Sequence, residues 1–342
     1  MSSLTRVAIG GHDAGRATEW MLAQRLTTVD EVLSLAPQAA VLVEENAASP
    51  LDSWEALATL ASFDLALARA LEPHLDAAGI LSQADMSGAD PAWRGGAWGV
   101  FAAEGGSEPL LASEQPTGWR LTGTKPWCSL AGQLDFALVT AHVDDRRRGL
   151  FAIDLRDGRI AVATGQWHAR GLTEIVSSSI HLQDVAGTAV GEPGWYLERP
   201  GFDIGGIGVA ACWFGGAVGI ARTVFEAGDG GGSPLAAMHL GAVDISLQQA
   251  QRALADAAAS VEAGVDSSSA KLLAKRVRGT VARTVEEVLW RAGHVLGPGP
   301  LAQDAAHAKR VADLELYVRQ HHAERDDESL GRLLRQGEAA PW

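Results

Sequence analysis

The feature that most constrains this chain is a change in the period of its apolar residues, from helical to alternating and back to helical. Up to residue 95 the period is helical. Leu57, Leu60, Phe63, Leu67 and Leu71 recur at steps of three and four, the spacing of one helix face. Asp52 or Ser53 is placed to cap that helix, with Glu55 in its first turn. Asp90-Pro91 and Gly95-Gly96 end the pattern. Residues 97–193 alternate instead, in short strand candidates at 118–123, 134–142, 150–155, 159–163 and 176–182. The pair Asp157-Gly158 between two such runs predicts a hairpin, because its central positions favour positive φ. From residue 199 the helical period returns. Segments 205–226, 235–263, 268–296 and 301–337 are broken by Gly230-Gly231-Gly232-Ser233-Pro234 and by Gly297-Pro298-Gly299-Pro300.

Two switches of period rule out a single bundle and a single sandwich. The fold class is α+β. It comprises an N-terminal helical domain (residues 1–95), a middle β-barrel or sandwich domain (96–193) and a C-terminal four-helix bundle (194–342).

Composition narrows the partners. With 47% hydrophobic and 20% charged residues the chain has material for a real core. Its net charge of -14 argues against nucleic acid, which needs a basic stripe to displace counterions. The basic run Arg146 to Arg148 reads as a solvated hairpin turn. No run of apolar residues reaches the length of a membrane span, and the first residues lack a secretory h-region, so a cytoplasmic location is expected. Cys128 and Cys212 read as two buried thiols rather than a disulfide or zinc site.

Several chemistries are disfavoured residue by residue. Gly205-Gly206-Ile207-Gly208 does not complete a dinucleotide fingerprint and follows no strand of a βαβ unit; a helix start needing close packing explains it better. There is no G-x-S-x-G elbow and no H-E-x-x-H. His321 and His322, if on a helix, diverge by about 100° and make a poor chelate, so no metal site is assigned. Trp127 and Ser129 stand two apart, on one side of a strand, where an indole and a hydroxyl can cover a flat ring. A core tryptophan beside a serine is the blander alternative.

These residues, taken with their neighbours, resemble the middle domain of the acyl-CoA dehydrogenase superfamily. The resemblance rests on Phe101 to Ser107 (FAAEGGS), Leu121 to Ser129 (LTGTKPWCS) and Asp135 to Ala141 (DFALVTA). Arg170 to Thr173 (RGLT) and Val176 to Val185 look like the closing strands, and Arg310-Val311-Ala312-Asp313 sits where the family has R-D-A. It covers residues 50–335 and marks a divergent, shortened member.

The resemblance implies an FAD whose isoalloxazine lies on Trp127 and Ser129, with the main chain of Ala102, Ala103 and Glu104 at its edge and Ser107 near the thioester arm. It implies α,β-dehydrogenation of an acyl thioester in a homo-oligomer, a dimer or tetramer. The Ala-rich stretch 247–259 suits packing between subunits, and burial within one chain explains it equally. Three departures qualify it. The family's glutamate base falls near Arg319-Gln320-His321, so His321, with Glu324 as backup on the same helix face, becomes the base. The pyrophosphate arginine is replaced by Ala237, and the loop at Gly105-Gly106-Ser107 is short. A flavin monooxygenase of the same fold and a flavin-free binding subunit are the alternatives.

Overall fold

The computed structural model describes residues 4–45, 49–86, 89–105, 108–228 and 233–337. Helices α1 (Arg16–Ala23), α2 (Val29–Glu45), α3 (Pro50–Phe63) and α4 (Leu65–Gln83) come first. Strands β1 (Trp98–Phe101), β2 (Leu111–Gln115), β3 (Gly118–Ser129), β4 (Phe136–His142), β5 (Arg148–Asp154), β6 (Ile160–Val162) and β7 (Ser177–Ala189) follow. The chain then returns to helices: α5 (Trp195–Glu198), α6 (Pro200–Gly228), α7 (Pro234–Glu262), α8 (Ser267–Leu296), α9 (Pro298–Gln303), α10 (Ala305–Tyr317) and α11 (Glu324–Leu334). The helical, β, helical order is the one the period predicts.

The sheet closes on itself. β4 pairs along β5 and touches β2 at His142, β2 pairs with β3, β3 with β7, and β7 with β5. β1 adds in parallel to β4, and β6 adds to β7. Closure removes the open edges that would otherwise invite pairing with another chain.

The expected hairpin at Asp157-Gly158 does not form. β5 and β6 both pair with β7 and not with each other. Neither Asp157 nor Gly158 has positive φ. The Asp157 carboxylate instead accepts from the Arg159 amide at 3.0 Å, holding a turn in which the next strand leaves in a new direction.

The single helix expected across Leu57–Leu71 is two. Asp64 adopts extended backbone (φ -147°) and its carboxylate accepts from Ala66 N at 2.9 Å, starting α4. The periodicity survives because both helices turn their leucines to the same core. The start of α3 is Ser49-Pro50 rather than Asp52 or Ser53. Asp52 instead receives the amides of Ala17 and Thr18 at 2.7 and 2.9 Å, capping α1 across the interface. The expected helix at 301–337 is also in pieces. A 3-10 turn (Val318–Gln320) and Ala323, at φ 45°, separate α10 from α11. Gly230 to Gly232 lie outside the described residues.

Helix α6 runs through the middle of the molecule. Ile207, Ala210, Ala211, Cys212, Trp213 and Ala217 are all 0% exposed. Among the described residues it is the one helix long and apolar enough to cross a membrane, and here it is mostly buried as the core helix. Counting uninterrupted apolar runs overlooked it because glycines break the run. On α7, Ala250, Leu254, Ala257 and Ala258 of the Ala-rich stretch are buried within the chain.

Close approach explains two of the α6 glycines. A Cβ at Gly215 would stand 2.1 Å from the Ala58 carbonyl oxygen, and one at Gly219 would stand 2.5 Å from that of Ser62. Main-chain atoms of α3 cannot step aside without moving the helix. Gly215→Ala is therefore expected to destabilise by about 1–3 kcal/mol. Gly241→Ala, at an exposed helical site with open space, is expected to be neutral or to stabilise by up to ~1 kcal/mol. Urea unfolding of the two variants compares them directly.

Candidate functional site

Strand β3 carries the centre of the site. Its register against β7 slips between Lys125 and Cys128, and Trp127 takes φ 59°. That left-handed conformation is unfavourable for a bulky residue and is retained where a bulge re-aims a side chain. Here the indole is 62% exposed. Its neighbours point inward. Cys128 is fully buried, and burial pushes its thiol up to about 12, so it is not a nucleophile at neutral pH. Ser129 Oγ is 2.7 Å from Ser177 Oγ and accepts from Arg69 Nη2 at 3.1 Å.

Ala102, Ala103 and Glu104 follow β1 and border the same cleft. The Glu104 carboxylate is held by Lys125 (3.0 Å), Arg148 (2.8 Å) and His142 (3.2 Å). Burial alone would raise its pKa, but the Arg148 and Lys125 hydrogen bonds outweigh it and hold the group at about 2. Arg148, expected to be solvated with the rest of its basic run, is instead half-buried in this cluster. The reason is that the β4–β5 register pairs it with His142 beside Glu104.

The opposite wall is helical. Arg69, Glu72, Pro73 and Asp76 of α4 line it, joined by Tyr196 and Phe202, by Leu316 and Tyr317 at the end of α10, and by Arg319 and Gln320 just after it. Between the walls lies a cleft of about 800 Å³ that Trp127 and Ser129 share with Glu72. Burial pushes the Glu72 carboxyl up to about 7, against the pull of Arg69 Nη1 at 3.9 Å. Asp76 is also raised by burial, opposed by Arg199 at 3.6 Å.

The walls are fixed to one another by an ionic junction. Lys309 of α10 reaches Asp64 (2.9 Å), Asp313 (2.7 Å) and Glu174 (3.4 Å). Asp313 also accepts the Leu172 amide at 2.6 Å, and a Cβ on Gly171 would overlap the Ala312 carbonyl. The RGLT and RVAD segments, distant in sequence, thus meet in space.

Of the predicted site residues, Ala102, Ala103, Glu104, Trp127 and Ser129 line this one cleft. Ser107 lies outside the described residues. His321 and Glu324 do not share a helix face, because the chain between them leaves helical geometry at Ala323. His321 is buried against Trp213, with ring centroids 6.5 Å apart, and lines a second cavity of about 310 Å³. Burial lowers its pKa, opposed by Asp326. Glu324 is exposed at the start of α11, away from the cleft lining. Arg319 borders the cleft as a cation and pairs with Glu286 at 2.8 Å.

Sequence reasoning missed Arg69 and Glu72. The available signal was a pair of charges three apart inside the apolar run LALARALEPHL. Gly205, Gly206 and Gly208 lie inside α6, and of the three only Gly205 is closely packed. A Cβ on Gly205 would stand 3.0 Å from Asp76, and Arg278 donates to the Gly206 carbonyl at 2.7 Å. Among the described residues no group of three or more His, Cys, Asp or Glu side chains is placed to hold a metal ion.

No protein-family model and no curated protein matches the sequence. Solved structures do match in shape. Butyryl-CoA dehydrogenase from Megasphaera elsdenii is 17% identical with a TM-score of 0.78, over 90% of this chain and 89% of that one. The dibenzothiophene monooxygenase TdsC from Paenibacillus sp. A11-2 is 16% identical with a TM-score of 0.77, over 95% and 97% of the two chains. KijD3, solved with FMN and a dTDP-linked amino keto sugar, is 15% identical with a TM-score of 0.76, over 96% of each chain. The protein has the acyl-CoA dehydrogenase fold.

The Glu104 cluster makes a pH prediction. Its folded pKa lies below its ordinary 4.5, so its stabilisation is present above that value and is lost as pH falls toward 2. Glu104→Gln is expected to be less stable than the wild type at pH 7, because Lys125, 2% exposed, loses its anion. The gap should close on acidification, as read by thermal unfolding of both proteins across pH 2–7.

Proposed function

We propose that the protein is a flavin-dependent oxidoreductase that holds an isoalloxazine ring in the cleft between the sheet and α4. The observation that carries this reading is Trp127. An indole held outward on a strained bulge, next to a serine hydroxyl and two alanines, offers a flat apolar face with a hydrogen bond at its rim. The cleft volume of about 800 Å³ accommodates a tricyclic ring with a substrate beside it. Three structural neighbours point the same way: one is a butyryl-CoA dehydrogenase, and two are described with FMN bound.

In this reading Trp127 and Ser129 bind the ring, and the main chain of Ala102, Ala103 and Glu104 borders its edge. The flavin, when bound, supplies the hydride-accepting chemistry. The protein's own part is orientation, exclusion of water and movement of one proton. The finer activity we propose is α,β-dehydrogenation of an acyl thioester, with FAD as the first expectation for the cofactor. A monooxygenase is the second reading, favoured by Arg319 standing near the family's base position and by the likeness to TdsC. The FAD assignment has to contend with Ala237. Arg291 of α8, which bonds His239 at 3.1 Å, brings a cation to that end of α7. Exposed Leu235, Met238, Ile245 and Trp290 on α7 and α8 support self-association through these helices.

The visible spectrum of the purified protein, followed by heat release and identification of the chromophore, tests the reading. Flavin bands are expected, and Trp127→Ala should weaken flavin retention by about tenfold or more. A colourless protein that binds neither added FAD nor FMN would overturn it in favour of a flavin-free binding subunit. Given flavin, oxygen consumption that depends on reduced flavin would select the monooxygenase over the dehydrogenase.

A further inference from the structure

Glu72 is an acid in an uncommon position. It is 9% exposed, and among the described residues its carboxylate makes no hydrogen bond; its nearest cation is Arg69 Nη1 at 3.9 Å. That Arg69 nitrogen is itself buried without a hydrogen-bond partner, while Nη2 of the same guanidinium donates to Ser129 at 3.1 Å. A buried carboxyl with open hydrogen-bonding capacity is costly, and such groups concentrate where a ligand or a proton has to be handled. Glu72 lines both the main cleft, with Trp127 and Ser129, and the neighbouring cavity lined by His321. The residues counted from the sequence do not share this placement. Arg319 cannot accept a proton, Glu324 is outside the cleft lining, and His321 borders the second cavity and not the cleft.

We propose that Glu72 is the catalytic base of the cleft, the group that takes the proton from a substrate carbon. The proposal rests on the flavin-dependent reading above. In the step, the substrate's α C–H bond breaks and its proton forms an O–H bond with the Glu72 carboxylate. The electron pair left behind becomes the C=C bond as the β-hydrogen departs with its pair to oxidised flavin. Substrate is oxidised by two electrons and flavin is reduced by two.

The surroundings suit the role. Arg69 and Asp76 on α4, Arg278 from α8, Cys212 from α6, Tyr317 from α10 and Tyr196 from α5 face or influence Glu72. Burial raises Cys212, Tyr317 and Tyr196 above their ordinary values, so they stay neutral at pH 7. Burial lowers His321, which leaves its ring neutral at that pH. Glu72, raised to about 7, exchanges its proton in the neutral range, and Asp76 is the second carboxyl raised beside it.

Infrared difference spectroscopy of the full chain, with or without flavin, tests the proton site. Glu72→Gln is compared with the wild type and with Asp76→Asn. A protonated-carboxyl band that titrates near pH 7, persists in Asp76→Asn and disappears in Glu72→Gln is expected. A titration confined below pH 5, or one removed only by Asp76→Asn, overturns the proposal. The second arm uses stopped-flow flavin reduction by a panel from butyryl-CoA to octanoyl-CoA. Glu72→Gln should retain its flavin and lose about 10²–10⁴-fold in reduction rate, whereas His321→Ala should lose much less. Equal rates in Glu72→Gln and wild type would sink the assignment. A wild type that holds no flavin would sink the functional reading instead, and the infrared titration would still decide whether Glu72 handles a proton near neutrality.

Discussion

The burial of α6 is the constraint on which the rest of the structure depends. A helix with apolar residues on nearly every side finds a partner for each face only if other helices surround it. Here α3 and α4 take one side and α7, α8 and α10 take others, with Trp213 fully buried among them. Glycine lets the backbones meet. Gly215 and Gly219 admit the carbonyls of Ala58 and Ser62, and Gly205 makes room for the Asp76 carboxylate. The spacing of α4 from the sheet follows from that packing, and with it the depth at which Arg69 and Glu72 stand.

Electrostatics then differentiates groups that are chemically alike. Glu104 and Glu72 border the same cleft, yet one is held near 2 and the other near 7. Glu104 gathers Lys125, Arg148 and His142 around its oxygens, so its charged form is compensated. Glu72 is buried with no hydrogen bond from its nearest cations, Arg69 at 3.9 Å and the more remote Arg278, so burial outweighs their pull. Two carboxyls of one cleft are thus pushed in opposite directions, one down by its cations and the other up by burial.

Much of this was legible in one dimension. The period of the apolar residues specified helices, then strands, then helices, because each regular structure repeats its buried face at its own interval. Trp127, Ser129 and Ala102 to Glu104 were named through the family resemblance, and the structure brings them to one cleft. The hairpin at Asp157-Gly158 and the continuous helix through Asp64 were misread. There a side-chain cap competed with the pattern, and the pattern alone does not register caps.

The sequence by itself determined the fold class and the acidic net charge, since both follow from composition and the period of the apolar residues. Tertiary structure alone decided that Glu72 and Glu104, distant in sequence, border one cleft. Glu72 looks like an ordinary charge in an apolar helix until α6 and α8 enclose it. His321 and Glu324 look like one helix face until the chain leaves helical geometry at Ala323, with His321 packed against Trp213. Desolvation and cross-chain contact set a group's chemistry, and both depend on neighbours far away in sequence.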